Sequence, residues 1–270
     1  MSSSHHERKP VISVKNLVKS FGGRRILNGV TLDILEGETF VIMGGSGCGK
    51  STFLRHLIGS LRPDSGEVWM FGEDIAKADE DRMHEIRKKF GMLFQSGGLF
   101  DSMSVGDNIA LPLREHTKLD DSIIRIMVRM KLELVGLSGF EDLMPSQLSG
   151  GMKKRVGLAR AIALDPKIVF YDEPTAGLDP VMTGVVDKLT IDLTKQLGIT
   201  SVVVTHDMNS VFRIADRIVM LHKGEVLQIG TPEEIRHAKD PIIQQFINGD
   251  PEGPISFLQR GEGYLDKLTA

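Results

Sequence analysis

Apolar residues recur along this chain at two periods, and the places where one period gives way to the other outline an alternating α/β molecule. Alternation over Val11–Leu17 and Ile26–Leu35 predicts two strands, with Phe21-Gly22-Gly23 as the turn between them. The continuous apolar run Thr39–Met43 predicts a buried strand, and just after it Phe53, Leu54, Leu57 and Ile58 fall at helical spacing. Arg62–Gly66 is strong turn chemistry and leads into a strand over Glu67–Phe71, whose Trp69 is expected in the core. Asp79–Lys89 predicts a charged helix, and Phe90–Phe94 a strand that runs into Gln95.

The pattern changes after Gln95. Nothing between it and Lys167 reads as a strand, whereas Ser104–His116 and the methionine-rich Asp120–Leu137 read as helices with polar or acidic starts. Residues 96–154 are therefore expected to form a helical insertion in an otherwise alternating chain, with Met127 and Met130 filling its core. Ser149 is a good N-cap for a helix that opens on Gly150 and Gly151 and is expected to stop at Asp165-Pro166. Buried strands follow at Lys167–Tyr171 and Ser201–Val204, then a hairpin of Arg217–Leu221 and Glu225–Ile229, then a helix from Pro232. The expected organisation is a flexible tail over 1–9, a folded unit over 10–240, and an extension over 241–270.

Chemistry enters between the third strand and its helix. Gly44-Gly45-Ser46-Gly47-Cys48-Gly49-Lys50-Ser51-Thr52 contains G-x-x-x-x-G-K-S/T, and strand, glycine loop and helix are the context this phosphate-binding motif requires. Glycines let successive N–H groups turn inward around phosphate oxygens, and the helix N-terminus adds unpaired donors. Lys50 would bring a charge to the β- and γ-phosphates and Ser51 a hydroxyl to Mg²⁺. Asp172-Glu173 ends the strand after Lys167, from which an acidic residue can reach such a cation, and His206 ends the next one. Ser149-Gly150-Gly151 is a second glycine-rich helix start able to hold an anion. Phe21 stays open between a buried turn aromatic and a stacking surface for a purine.

Bulk properties narrow the class. With 33 basic and 36 acidic residues the net charge is −3, which argues against general nucleic-acid binding. The one cysteine, Cys48, excludes an internal disulfide framework; beside a helix N-terminus its thiolate is expected to be favoured. No apolar run approaches a membrane span, and the first ten residues hold no signal-peptide core. The eight histidines show no metal-ligand spacing.

Together these residues resemble the nucleotide-binding subunit of ABC transporters over Val11–Ile235. The phosphate loop is Gly44–Ser51, Gln95 the Q-loop glutamine, Leu148-Ser149-Gly150-Gly151-Met152 the signature, Ile168–Asp172 with Glu173 the Walker B strand, Ala176–Asp179 the D-loop, and His206 the switch histidine. Phe21 falls where that family carries its adenine-stacking aromatic. A narrower resemblance, to the ATPases of Mla/Mce-type phospholipid transport, rests on Phe94–Phe100, Ala110–Thr117, Leu143–Leu148, Met152 and Phe246–Phe257. The resemblance implies a RecA-like P-loop core with an antiparallel β subdomain and an inserted helical subdomain. It implies ATP and Mg²⁺, the ion held by Ser51, Gln95 and Asp172. Glu173 and His206 would serve hydrolysis with Lys50, while Ser149, Gly150, Gly151 and Asp179 would serve the site of a second copy. Implied partners are that copy, a membrane permease, an Mce-domain lipid-binding protein and a small regulatory subunit, at the cytoplasmic face of a bacterial inner membrane. Phe100–Thr117, with Leu113 and Arg114, is the expected permease surface, and Phe257, Tyr264 and Leu265 are possible anchors of a tail crossing the dimer. Two alternatives are an ATPase of a small-solute importer and a soluble ABC ATPase that moves no solute. The second usually carries paired cassettes or coiled-coil or zinc-bearing insertions that this chain lacks.

Overall fold

A computed structural model describes residues 9–255. The tail anchors Phe257, Tyr264 and Leu265, and all but the last residue of the expected N-terminal tail, lie outside the described residues.

Two sheets carry the fold. β1 (Pro10–Phe21), β2 (Arg24–Leu35), β4 (Ser65–Met70) and β5 (Glu73–Asp74) form an antiparallel sheet in the order β2-β1-β4-β5. The second sheet has the order β10-β9-β3-β8-β7-β6, built from β3 (Thr39–Met43), β6 (Phe90–Leu93), β7 (Ile168–Asp172), β8 (Thr200–Val204), β9 (Arg217–His222) and β10 (Glu225–Gly230). It is parallel from β9 to β6, and only the β9–β10 hairpin is antiparallel. Parallel strands are covered on both faces, which is why β3, β7 and β8 read as continuous apolar runs.

The strand period divides that cover. Phe40, Ile42, Ile168, Phe170, Val202 and Val204 face a core shared with the antiparallel sheet, α1 (Lys50–Leu57) and α2 (Glu80–Arg87). Their neighbours Val41, Met43, Val169, Tyr171 and Val203 face the opposite way, toward the other helices. Those are α3 (Val105–His116), α4 (Asp121–Leu134), α5 (Gly150–Ala161), α6 (Pro180–Leu197), α7 (Met208–Ile214), α8 (Pro232–Arg236) and α9 (Pro241–Asn248). The stretch between β6 and β7 is helical, with α3 and α4 packed on each other and on α5.

Several local expectations change. Met127 packs against the core, but Met130 is 58% exposed, because α4 turns Ile124, Val128 and Leu132 inward and leaves Met130 on its outer face. Trp69 is only half-buried, with its indole N–H donating to Glu67 Oε2 at 2.7 Å. The helix begun at Gly150 ends at Ala161, four residues before Asp165, which takes a left-handed backbone (φ 50°). Helices α6, α7 and α9 are not marked by the hydrophobic pattern. On α6 the buried face carries Thr183, Asp187, Thr190 and Thr194, so its apolar stripe is too thin to stand out.

Candidate nucleotide site

The carboxyl ends of four adjacent parallel strands meet at one edge of the sheet. β3 delivers the loop 44–49, β8 delivers His206, β7 delivers Asp172 and Glu173, and β6 runs toward Gln95. Open α/β sheets bind their ligands at such an edge.

The glycine loop is held tightly at two points. A Cβ on Gly44 (φ 149°) would lie 2.2 Å from the Leu221 carbonyl oxygen, so the loop's start has no room for a side chain. Gly49 (φ 110°) is the left-handed residue from which α1 departs, against Leu27 and the Ile26 carbonyl. Lys50 folds its ammonium back to donate to the carbonyls of Gly44 (2.7 Å) and Gly45 (3.0 Å). Cys48 corrects an expectation. It is buried, and that burial pushes its thiol up despite the lowering influence of Lys50, so the thiolate is not favoured.

Beside the loop opens a cleft of 350 Å³ lined by Phe21, Arg24, Ile26, Gly47, Gly49, Lys50, Ser51 and Thr52. Phe21 is 48% exposed at its rim, with the Lys19 ammonium 5.5 Å from the ring centroid, so it is not a buried turn aromatic. Arg24 escaped the reading of the sequence, since nothing in residue order marks a hairpin arginine as facing a phosphate loop. A larger cavity of 760 Å³, among α7, α8 and α9, contains none of the motif residues.

At the strand ends, Glu173 and His206 are brought together, with His206 Nδ1 2.9 Å from Glu173 Oε1. Glu173 has a left-handed backbone (φ 48°), a conformation that costs a non-glycine residue about 1–3 kcal/mol. Its N–H donates to the Val204 carbonyl (2.9 Å) and its carbonyl accepts from Ala176 N–H (3.2 Å), which hold it there. Asp172 is half-buried. Burial and then the neighbouring Glu173 raise its carboxyl pKa, with Arg55 and Lys50 opposing. A carboxylate made costly in this way suits a hard cation, and the Ser51 hydroxyl and Gln95 amide oxygen are donors of the same hard-oxygen type.

Ser149 caps α5, its hydroxyl accepting from Met152 N–H at 3.3 Å. Gly151 lies under Met182, where a Cβ would meet the Met182 methyl at 2.6 Å. Asp179 caps α6, accepting from Val181 N–H (2.9 Å) and Met182 N–H (3.0 Å). None of Ser149, Gly150, Gly151 and Asp179 lines the cleft beside the phosphate loop, and neither do Asp172, Glu173 and His206. Lys154 is a second residue that the sequence reading passed over. With Gly151 and Leu158 it falls at positions i, i+3 and i+7 on the buried side of α5, and that spacing was its available signal.

Comparison with known proteins agrees with this geometry. The ABC transporter family model matches residues 27–176. A phospholipid transport ATP-binding protein, MlaF of Haemophilus influenzae, is 44% identical over 258 residues, covering 96% of this chain and 98% of its own. The probable ribonucleotide transport ATP-binding protein mkl of Mycobacterium leprae is 48% identical over 248 residues, 92% of this chain and 72% of its own. Among solved structures, the dimeric bacterial ABC transporter cassette MJ0796 superimposes with a TM-score of 0.76 at 35% identity, over 82% of this chain and 98% of that one. The cassette cbiO1 of Clostridium perfringens, part of the ABC transporter complex cbiONQ, gives 0.79 at 32% identity, over 85% of this chain and 92% of that one. With its phosphate loop, strand-end Glu173–His206 pair and full-length relatives, this chain belongs to the ABC transporter family and is an ATP-hydrolysing subunit of such a transporter.

Proposed function

We propose that two copies of this chain close around ATP and use its hydrolysis to drive a membrane permease that moves phospholipid. The observation that carries the reading is the split of the site. The phosphate loop, Glu173 and His206 follow the ends of adjacent parallel strands at one sheet edge, while Ser149–Gly151, the second anion-binding helix start, open α5 in the helical segment between β6 and β7. A triphosphate on the loop presents γ-phosphate charge that one copy leaves exposed, and a partner's α5 N-terminus can neutralise it. The dimeric assembly of the similar cassette MJ0796 supports this arrangement.

Each residue then has a task. Phe21 stacks on the adenine at the cleft's rim; Gly44–Thr52 wrap the phosphates with main-chain N–H groups, and Lys50 leaves its own loop carbonyls for the β- and γ-oxygens. Ser51, Gln95 and Asp172 would hold Mg²⁺, which supplies positive charge to those oxygens. Glu173 accepts the proton of the attacking water as the bond to the γ-phosphorus forms and the bond to the leaving ADP oxygen breaks. His206, freed from Glu173, donates to the γ-phosphate. Asp179 faces the second copy from the cap of α6.

Phospholipid as cargo rests on MlaF, which this chain matches along nearly its whole length. The mkl relatives, with a different printed cargo, are matched over a smaller share of their own length. For the permease, a groove of 430 Å³ between β6 and α3 offers Phe94, Phe100, Leu111, Pro112 and Glu115. Phe100 is 51% exposed, and the Arg160 guanidinium sits 5.7 Å from its ring while donating to the Gly98 carbonyl at 2.7 Å. Leu113 is not part of this surface, because it is buried in the core of the helical segment, whereas Arg114 is exposed, in an ion pair with Asp107. No helix among the described residues is long and apolar enough to cross a membrane, so the permease, with an Mce-domain lipid-binding protein, would hold the chain at the inner membrane's cytoplasmic face. A small regulatory subunit would complete the complex.

Glu173→Gln tests the chemistry. It should bind ATP as the parent does and lose turnover by about 10²–10⁴-fold, read as phosphate release. Near-parental hydrolysis would remove Glu173 as the base.

A further inference from the structure

Lys154 projects from α5 one turn after the signature residues and is only 5% exposed. A buried ammonium is costly unless its protons are satisfied, and Lys154 satisfies its own on main chain alone. It donates to the Ala176 carbonyl at 2.6 Å and approaches the Glu173 carbonyl at 3.4 Å. Both acceptors belong to the segment that runs from the strand-end glutamate to the Asp179 cap. Burial pulls the Lys154 pKa down, with the Glu173 charge opposing, as expected of an ammonium lodged among carbonyls rather than paired with a carboxylate. The Glu173 residue that it approaches is the one held in left-handed backbone. Beside it, Gly151 of α5 packs directly beneath Met182, in the first turn of the helix that Asp179 caps.

We infer that Lys154 is a positioning residue for hydrolysis: it ties the signature end of α5 to the main chain of Glu173–Ala176, so that engagement of Ser149–Gly151 with a second copy's nucleotide sets the aim of Glu173 at this copy's own. The inference rests on the two-copy reading of the site. Within one chain, the helix that serves the partner's ATP and the loop that serves its own are tied together by the Lys154 ammonium, with the Gly151–Met182 contact beside it. The two sites of a closed dimer then cannot fire independently.

The test uses the full-length chain in three forms: parent, Lys154→Met, which keeps length and loses the donors, and Lys154→Arg, which keeps donors. Fluorescent-nucleotide titration gives affinity, and phosphate release against ATP concentration gives kcat and the Hill coefficient. The methionine variant should retain the parent's nucleotide affinity, lose about tenfold in kcat, and show a Hill coefficient fallen toward unity, with arginine restoring both. Parental kcat and cooperativity in Lys154→Met would overturn the inference. So would a joint loss of affinity and kcat that arginine does not rescue, since that marks a merely structural role. Glu173→Gln, run alongside, separates the two levels. Its loss of turnover with an unaffected Lys154→Met removes the inference alone, and its retention of turnover removes the underlying site reading as well.

Discussion

Single side chains in this molecule are placed by the cost of burying them, and His56 is a clear instance. It lies on α1, the helix that starts in the phosphate loop, and is 1% exposed, with Nδ1 2.7 Å from the Thr52 carbonyl and Nε2 without a hydrogen-bond partner among the described residues. Burial lowers its pKa from 6.5, with the Thr52 contact opposing. The unfolded chain therefore binds this proton more readily than the folded one, so the neutral histidine's contribution is complete above the unfolded value and is lost as pH falls through about 6.5 toward the depressed folded value. Thermal melts between pH 8 and pH 5 should show falling stability on the acid side, with a shallower fall in His56→Gln. An equal slope in the variant would remove His56 as a cause; His116 and His222, lowered in the same direction by burial, account for a remaining slope. The same logic turns Cys48 from a candidate thiolate into an inert filler. Its address at a helix start was visible in the sequence, but its desolvation was not, because that depends on what packs over it.

At the scale of elements, most of what positions the site was legible. The phosphate loop, the strand ends at Asp172 and at His206, and the Ser149 cap are local features, fixed by residue type and spacing within a few neighbours. What escaped depends on tertiary company. α6 hides its core face behind threonines and Asp187, whose carboxylate accepts from Ser210 Oγ at 3.0 Å and from Arg213 at 2.7 Å on α7. Leu113 looked available for docking and is instead core, because an apolar residue on an amphipathic helix does not declare which neighbour covers it. Asp179 shows how one residue serves two scales. As the cap of α6 it satisfies two N–H groups, so Asp179→Ala should cost about 1 kcal/mol of stability while Asp179→Asn costs close to none. Denaturant unfolding of the two variants checks the cap. If asparagine keeps stability but loses ATP turnover, the carboxylate acts beyond its helix; equal destabilisation by both would show that capping is not its structural task.

For the whole molecule, the arrangement makes one chain an incomplete enzyme. In the proposed two-copy arrangement, the sheet edge of one copy supplies the phosphate loop, Glu173 and His206, while its own helix start at Ser149–Gly151 would serve the other copy's γ-phosphate. Phe21 illustrates what residue order could offer here. Its aromatic character was plain, but its choice between core and cleft was settled only by the exposed ring at the rim of the 350 Å³ opening beside Lys50. In that proposal ATP joins the copies and hydrolysis releases them, which would give a permease two shapes to follow.

The central claim, that nucleotide joins two copies, is tested most directly by the solution mass of the Glu173→Gln chain, in which bound ATP persists. Light scattering on that protein should give the mass of one chain without nucleotide and of two chains with ATP and Mg²⁺. A mass that stays at one chain when the nucleotide site is saturated would contradict the account.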